Sequence, residues 1–243
     1  MEIRSLTIVS TALNAALYAV IGIMTYMGIL APVLGVVRFW PGVFVPAVFA
    51  VLFGPIAGGL GAAIGIFLSD MVVHGNPLLS LTVGVPANFV MFYIIGYVSN
   101  RKFKMNLRWI FSSIALIIAI SLTLFSQWLP WTAGESWVWI VVGAVSIVIL
   151  AIVGLVWPRW IQYQTSAILG NLVGSLIVGF GVWSFSHFFI LPGGAGALPL
   201  IAAYTWTVWT FMNQIPFLAI IVPSILKAAY SAFPTRFERT NHG

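Results

Sequence analysis

Few side chains able to bind a polar ligand or move a proton lie within the long apolar stretches of this sequence. An ionisable group inside a bilayer is costly, so each one found there is a candidate for function. Asp70 and His74 are four residues apart and would share one helix face. A second face, with the spacing i, i+3, i+7, carries Trp206, Trp209 and Asn213. The candidate binding residues are Arg38, Asp70, His74, Asn76, Asn88, Trp206, Trp209 and Asn213.

These residue types favour binding of a small ligand over covalent catalysis. An arginine suits an anionic group, and tryptophan rings stack on flat ligands. Each candidate also has a structural interpretation. Arg38 would bridge to Asp70, and Asp70 with His74 would cap the turn at Asn76-Pro77. The tryptophans would form an interfacial belt, and the asparagines would hydrogen-bond between helices.

No catalytic or metal-binding motif accompanies these residues in the sequence. The three histidines are scattered at positions 74, 187 and 242, and there is no cysteine. The sequence also lacks a Walker motif, a G-x-S-x-G elbow and an H-E-x-x-H pair. We therefore expect neither a metal nor a cofactor, and we expect that the chain does not hydrolyse ATP itself.

The elements that must position the candidates are helices that cross a membrane. The 243 residues are 61% hydrophobic and 6% charged, whereas soluble domains are about 25% charged. The net charge of +6 does not indicate nucleic-acid binding, because the basic residues lie in short segments between apolar runs. The sequence predicts an all-α polytopic bundle, one transmembrane domain over residues 1–243, with eight spans at 6–30, 40–53, 55–73, 78–99, 109–129, 137–157, 165–191 and 199–226.

The apolar run 39–73 can be interpreted as one kinked helix or as two helices. A single straight helix would be about 52 Å long, against about 30 Å of hydrocarbon. Because Gly54-Pro55 is typical of a tight turn, we favour two helices that meet there.

Eight spans place both termini on one side of the membrane. The basic residues other than Arg38 then lie on that same side, which the positive-inside rule assigns to the cytoplasm. Seven spans would separate the charges equally well, so the Gly54-Pro55 break decides the number. In this arrangement most candidate residues gather at the outer ends of the helices, and Asn88 and Asn213 lie deeper. Together they would line a pocket that opens outward.

The first span carries pairs of small residues four positions apart. Ala12 and Ala16 form one pair, and Ala15 and Ala19 form another. Such pairs let helix backbones approach closely in lipid. They indicate either packing within the protein or a stripe on which another membrane subunit docks.

Residues 12–98 resemble the substrate-binding (S) component family of energy-coupling factor (ECF) transporters, which capture vitamins. The resemblance lies in A-L-N-A-A-L-Y-A at 12–19, V-F-A-V-L-F-G-P-I-A-G-G-L-G at 48–61 and S-D-M-V-V-H-G-N-P-L-L-S at 69–80. Residues 165–174 and 213–224 are similar to parts of the last two helices of that family. The family has six helices, so we interpret 1–100 and 160–230 as the core and 109–157 as an inserted helical hairpin.

The resemblance implies a binding subunit of an importer in the plasma membrane. Its substrate, a vitamin or related aromatic compound, would be captured from outside, and the outer loops would close over it. The alanines at 12, 15, 16 and 19 would face a transmembrane coupling subunit, to which two cytoplasmic ATPases supply energy.

Two other functions compete with this interpretation. The chain would be a self-sufficient, proton-coupled transporter if Asp70 and His74 relayed protons. The sequence shows no duplicated halves, which many such transporters have. It would be an intramembrane enzyme if the same two residues were an acid–base pair, but no nucleophile accompanies them.

Overall fold

Six helices make up most of the part of the chain that the structure describes. The structure is a computed structural model that describes residues 2–29, 33–34, 37–101, parts of 141–153, and 157–233. The helices are α1 (Glu2–Met24), α2 (Phe44–Phe53), α3 (Pro55–Val73), α4 (Pro77–Ser99), α5 (Ile161–Phe188) and α6 (Leu200–Ala232). All except α2 are long and apolar enough to cross a bilayer.

The expected spans agree with these helices where the two can be compared. The spans at 109–129 and, for the most part, 137–157 lie outside the described residues, so the count of eight stays a prediction. One difference from an all-helical chain is a small hairpin after α1. Its strands, β1 (Val33–Leu34) and β2 (Val37–Arg38), are antiparallel, and Val33 pairs with Arg38.

The expected break at Gly54-Pro55 is confirmed. Helix α2 ends at Phe53 and α3 begins at Pro55, with Gly54 between them at φ +97°. This left-handed conformation is open to glycine and strained for other residues. Proline then fits the first turn of α3, where its missing N–H leaves no helical hydrogen bond unmade. The turn folds α2 back along α3.

Helix α3 is the centre of the bundle and packs against α1, α2 and α4. Its glycines allow the close approach: a Cβ at Gly61 would lie 2.3 Å from the Asn14 side chain, and one at Gly58 2.3 Å from Ala50. Asn14 is fully buried and donates from Nδ2 to the carbonyl oxygens of Ala57 (3.0 Å) and Gly58 (3.2 Å). A polar side chain thus fixes α1 on α3 where lipid provides no hydrophobic driving force.

Helix α6 contains two prolines whose effect on the backbone is repaired by neighbouring helices. Pro223 has no N–H, so the carbonyl oxygen of Ala219 loses its helical donor. Gln164 of α5 donates to this oxygen from Nε2 at 2.9 Å, and the Tyr163 hydroxyl donates to the adjacent carbonyl of Leu218 at 2.8 Å. The segment Phe217–Ile221 is a π-helical turn. Side chains of α5 therefore hold α6 in its irregular path.

The same repair occurs at Pro216. The carbonyl oxygen of Met212, four residues earlier, accepts a hydrogen bond from the Ser146 hydroxyl at 2.7 Å. Ser146 belongs to the described part of the segment interpreted from sequence as an inserted hairpin. This segment also contributes Val153 to a buried cluster with Phe211 and Ile215 of α6. These described residues of the segment therefore pack against α6.

We expect Gln164→Leu to lower the free energy of unfolding by about 1–3 kcal/mol, because it leaves the Ala219 carbonyl buried without a donor. The substitution should cost much less in a Pro223→Ala background, since residue 223 then supplies an N–H. Thermal unfolding of the four proteins in one detergent measures the difference. An equal loss in both backgrounds would show that the Ala219 carbonyl is not what Gln164 stabilises.

Candidate functional site

A cavity of about 110 Å³ lies between α3, α4, α5 and α6. The end of α3, the start of α4 and the segment before α2 form one side, and α5 and α6 form the other. In the expected topology this is the outer half of the bundle. The lining residues are Trp40, Ile66, Asp70, His74, Leu79, Val83, Gly84, Asn88, Val178, Val182, Thr210 and Gln214.

Asp70 connects the end of α3 to the start of α4. It is buried, and its Oδ2 accepts a hydrogen bond from the Ser80 hydroxyl at 2.7 Å. Its Oδ1 lies 3.5 Å from Nε2 of His74. Gly84 passes close to this carboxylate, because a Cβ at that position would lie 2.9 Å from Oδ2. The carboxylate thus has partners on both helices.

His74 and Asn76 shape the turn between the two helices. Nδ1 of His74 accepts from the Asn76 N–H at 3.1 Å, and Oδ1 of Asn76 accepts from the Leu79 N–H at 3.0 Å. Asn76 is therefore the N-cap of α4 and is not among the residues that line the cavity. Gly75 takes φ +63° in the turn. His74 does line the cavity.

A chain of hydrogen bonds crosses the bundle behind the cavity. Nε1 of Trp40 donates to the Tyr18 hydroxyl at 2.6 Å, and that hydroxyl donates to Oδ1 of Asn88 at 2.6 Å. Nδ2 of Asn88 donates to the carbonyl oxygen of Gly84 at 2.9 Å. Tyr18 is fully buried and its ring packs edge-on against Trp40. This series of hydrogen bonds fixes the position of Trp40, which forms one wall of the cavity.

The aromatic face predicted on α6 lies beside the cavity. Trp206 and Trp209 are buried in an apolar cluster with Leu79 and other side chains. Asn213 is fully buried, accepts from the Trp40 backbone N–H at 3.2 Å and donates to the Trp209 carbonyl at 2.8 Å. These contacts tie α6 to the segment before α2. None of the three lines the cavity.

The face of α6 that does line the cavity is one residue further along the helix. Thr210 and Gln214, four residues apart, are on it. Sequence reasoning missed both, together with Trp40 and Ser80. The signal present in the sequence was the i, i+4 spacing of Thr210 and Gln214 in an apolar span. One residue turns a helix by about 100°, so the choice between the faces requires knowledge of the neighbouring helices.

The remaining candidate is Arg38. Its backbone belongs to β2, but its side chain lies outside the described part of the structure, and so does its suggested bridge to Asp70. Within the described residues, no three side chains of His, Cys, Asp or Glu come together as a metal site would require. The arrangement as described provides a cavity of mixed lining, with apolar side chains and with polar groups on α3, α4 and α6.

Comparison with known protein families identifies a match over the first two thirds of the chain. A family model described as the S component of the ECF-type riboflavin transporter matches residues 2–159. No curated protein and no solved structure matches the chain. The matched residues include 109–157 and end before α5. The cavity is thus built from helices inside the match and from two helices beyond it.

We expect Tyr18→Phe to lower the free energy of unfolding by about 1–3 kcal/mol, since Trp40 Nε1 and Asn88 Oδ1 would both lose their partner. Tyr93→Phe is the matched control, because the Tyr93 ring stacks between two aromatic rings of α4; its cost should stay within about 0.5 kcal/mol. Thermal unfolding in detergent compares the two. Equal costs would contradict the account of Tyr18.

Proposed function

We propose that this chain, because it belongs to the S component family of ECF-type riboflavin transporters, captures riboflavin outside the cell for import. Membership rests on the family model, which matches residues 2–159 of the 243. The chain is accordingly a membrane component of a vitamin transporter and not an enzyme. The substrate and the orientation of the chain in the cell membrane belong to the proposal.

The observation that best supports a flat aromatic ligand is the composition of the cavity. Its walls carry the Trp40 ring and branched aliphatic side chains from three helices. Such walls suit both faces of a ring system, because apolar area leaves water on binding. Among the described lining residues, the polar side chains belong to the end of α3, to α4 and to α6. In this proposal they meet the edge of the ring.

The cavity must widen to admit such a ligand. Its volume of about 110 Å³ is below the 300 Å³ or more that is typical of pockets for drug-sized ligands. Val83 and Gly84 border it from the π-helical turn of α4, Ser80–Gly84, and Leu79 borders it just before this turn. π-helical turns are frequent at functional sites. We infer that this turn yields when the ligand enters.

Binding alone does not move the substrate across the membrane. The chain carries no ATPase motif, so the proposal assigns energy supply to two cytoplasmic ATPases that act through a transmembrane coupling subunit. The contribution of the chain is to exclude water from the ligand, to orient it and to present a surface to that subunit.

The proposed docking surface is the exposed half of the alanine pattern of α1. Ala12 and Ala16 are exposed, and Leu13 beside them is 53% exposed. Ala15 and Ala19, in contrast, are buried, and the carbonyl of Ala15 lies close to Gly65 of α3. The proposal therefore assigns docking to Ala12 and Ala16 and internal packing to Ala15 and Ala19, although sequence analysis grouped all four.

We expect Ala12→Trp and Ala16→Trp to abolish riboflavin uptake by cells while the purified variants bind riboflavin as the wild type does. A large side chain would block a partner helix without reaching the cavity. Uptake of labelled riboflavin and quenching of its fluorescence by purified protein are the two measurements.

Ala15→Trp is the control on the opposite face of α1. It should lose binding and thermal stability together, because its side chain would enter the contact with α3. If Ala12→Trp and Ala16→Trp behave in the same way, the docking surface is wrong. If the purified wild type fails to bind riboflavin, the proposed substrate is wrong.

A further inference from the structure

The polar side chains on the two sides of the cavity differ in how many hydrogen bonds they already form within the protein. On the side of α3 and α4, Asp70 accepts from Ser80 and lies near His74, and Asn88 both accepts and donates within the protein. These hydrogen bonds stabilise the wall of the cavity that α3 and α4 form. Their remaining capacity to recognise a ligand is correspondingly small.

On the side of α6, two polar side chains each carry an oxygen atom that lacks such a partner within the described part of the chain. Thr210 is 5% exposed and Gln214 is 6% exposed, and both line the cavity. Oγ1 of Thr210 and Oε1 of Gln214 are buried without a hydrogen-bond partner among the described residues. Oδ1 of Asn14 and Oγ of Ser69 are unpaired as well, but neither residue lines the cavity. Buried polar atoms in proteins nearly always have a hydrogen-bond partner. Two such atoms without a partner, both in residues that line one cavity, therefore need an explanation. A ligand that completes these bonds supplies one.

We propose that Gln214, assisted by Thr210, is the specificity-determining residue of the cavity and pairs with a cyclic imide edge of the ligand. The inference rests on the proposed function and deepens it. A glutamine carboxamide presents one acceptor oxygen beside a donor NH₂. A cyclic imide presents one N–H donor between two carbonyl acceptors. The two groups therefore form a pair of parallel hydrogen bonds.

Thr210 lies one helical turn before Gln214, and its hydroxyl donates or accepts. It can therefore serve the second carbonyl of the imide. The ring of riboflavin has such an edge, with the N3–H between the C2 and C4 carbonyl groups. Its apolar body would then extend between Val83 of α4 and Val182 of α5, both of which line the cavity.

Gln214 and Thr210 lie outside the part of the chain that the family model matches, which ends at residue 159. Recognition of the imide edge is a property of the helices that follow. A ligand without a donor at this edge would leave Oε1 of Gln214 buried and unpaired, and the penalty for an unpaired buried group exceeds the gain from a paired one.

The test compares binding of riboflavin with binding of 3-methylriboflavin, which lacks the N3–H donor. Purified wild type should bind 3-methylriboflavin at least about tenfold more weakly. In Gln214→Met the two ligands should bind within about threefold of each other, since the methionine has similar length and no hydrogen bond to offer. Thr210→Val should weaken riboflavin binding and leave part of the preference for riboflavin over 3-methylriboflavin. Fluorescence quenching titrations in detergent measure all the dissociation constants.

Gln164→Met is the matched control. Gln164 is also buried, but its amide donates to the Ala219 carbonyl and does not line the cavity. This variant should lose thermal stability and keep the wild-type preference for riboflavin. Gln214→Met with the full preference would overturn the inference.

The wild-type comparison decides the matter even if Gln214→Met does not fold. Wild type that binds the two flavins equally well overturns the role of Gln214 and leaves riboflavin as the substrate. Wild type that binds neither flavin overturns the proposed function and the inference with it. The two failures are therefore distinguishable.

Discussion

A bilayer offers no water to polar groups, so each one inside it must find a partner within the protein. The described helices meet this requirement even at prolines, which leave backbone carbonyl groups without their helical hydrogen-bond donors. Gln164 and Ser146 bond the carbonyl groups that Pro223 and Pro216 leave without donors. Asn14 joins α1 to α3. Side chains that line the cavity are also bonded within the protein: Asp70 accepts from Ser80, and Asn88 accepts from Tyr18. Among the described residues, the buried side-chain atoms without a hydrogen-bond partner are Oδ1 of Asn14, Oγ of Ser69, Oγ1 of Thr210 and Oε1 of Gln214. Of these residues, Thr210 and Gln214 line the cavity.

Much of the fold follows from local signals in the sequence. The break between α2 and α3 could be predicted because Gly54 and Pro55 act on the backbone itself, whatever packs around them. The pairing of Asp70 with His74 could be expected because residues four apart are neighbours on any helix. Such features depend on spacing along one chain segment.

The rest could not be predicted, because the rotation of a helix is set by its neighbours. The spacing of Trp206, Trp209 and Asn213 identifies a helix face correctly, yet that face packs against the segment before α2 and the apolar cluster beside it. The alanine pattern of α1 likewise divides into an exposed pair and a buried pair only once α3 is in place. Chain order gives no information on either rotation.

We propose that riboflavin binds in the cavity between α3, α4, α5 and α6 and enters it from outside. The chain has no cysteine, so single cysteines can be introduced at Val178, which lines the cavity, and at Ala195, which is exposed in the loop between α5 and α6. The most direct measurement is the rate at which an impermeant thiol reagent labels each variant on intact cells. Both should be labelled, and riboflavin should slow labelling at Val178→Cys only. A rate at Val178→Cys that riboflavin leaves unchanged would contradict the claim.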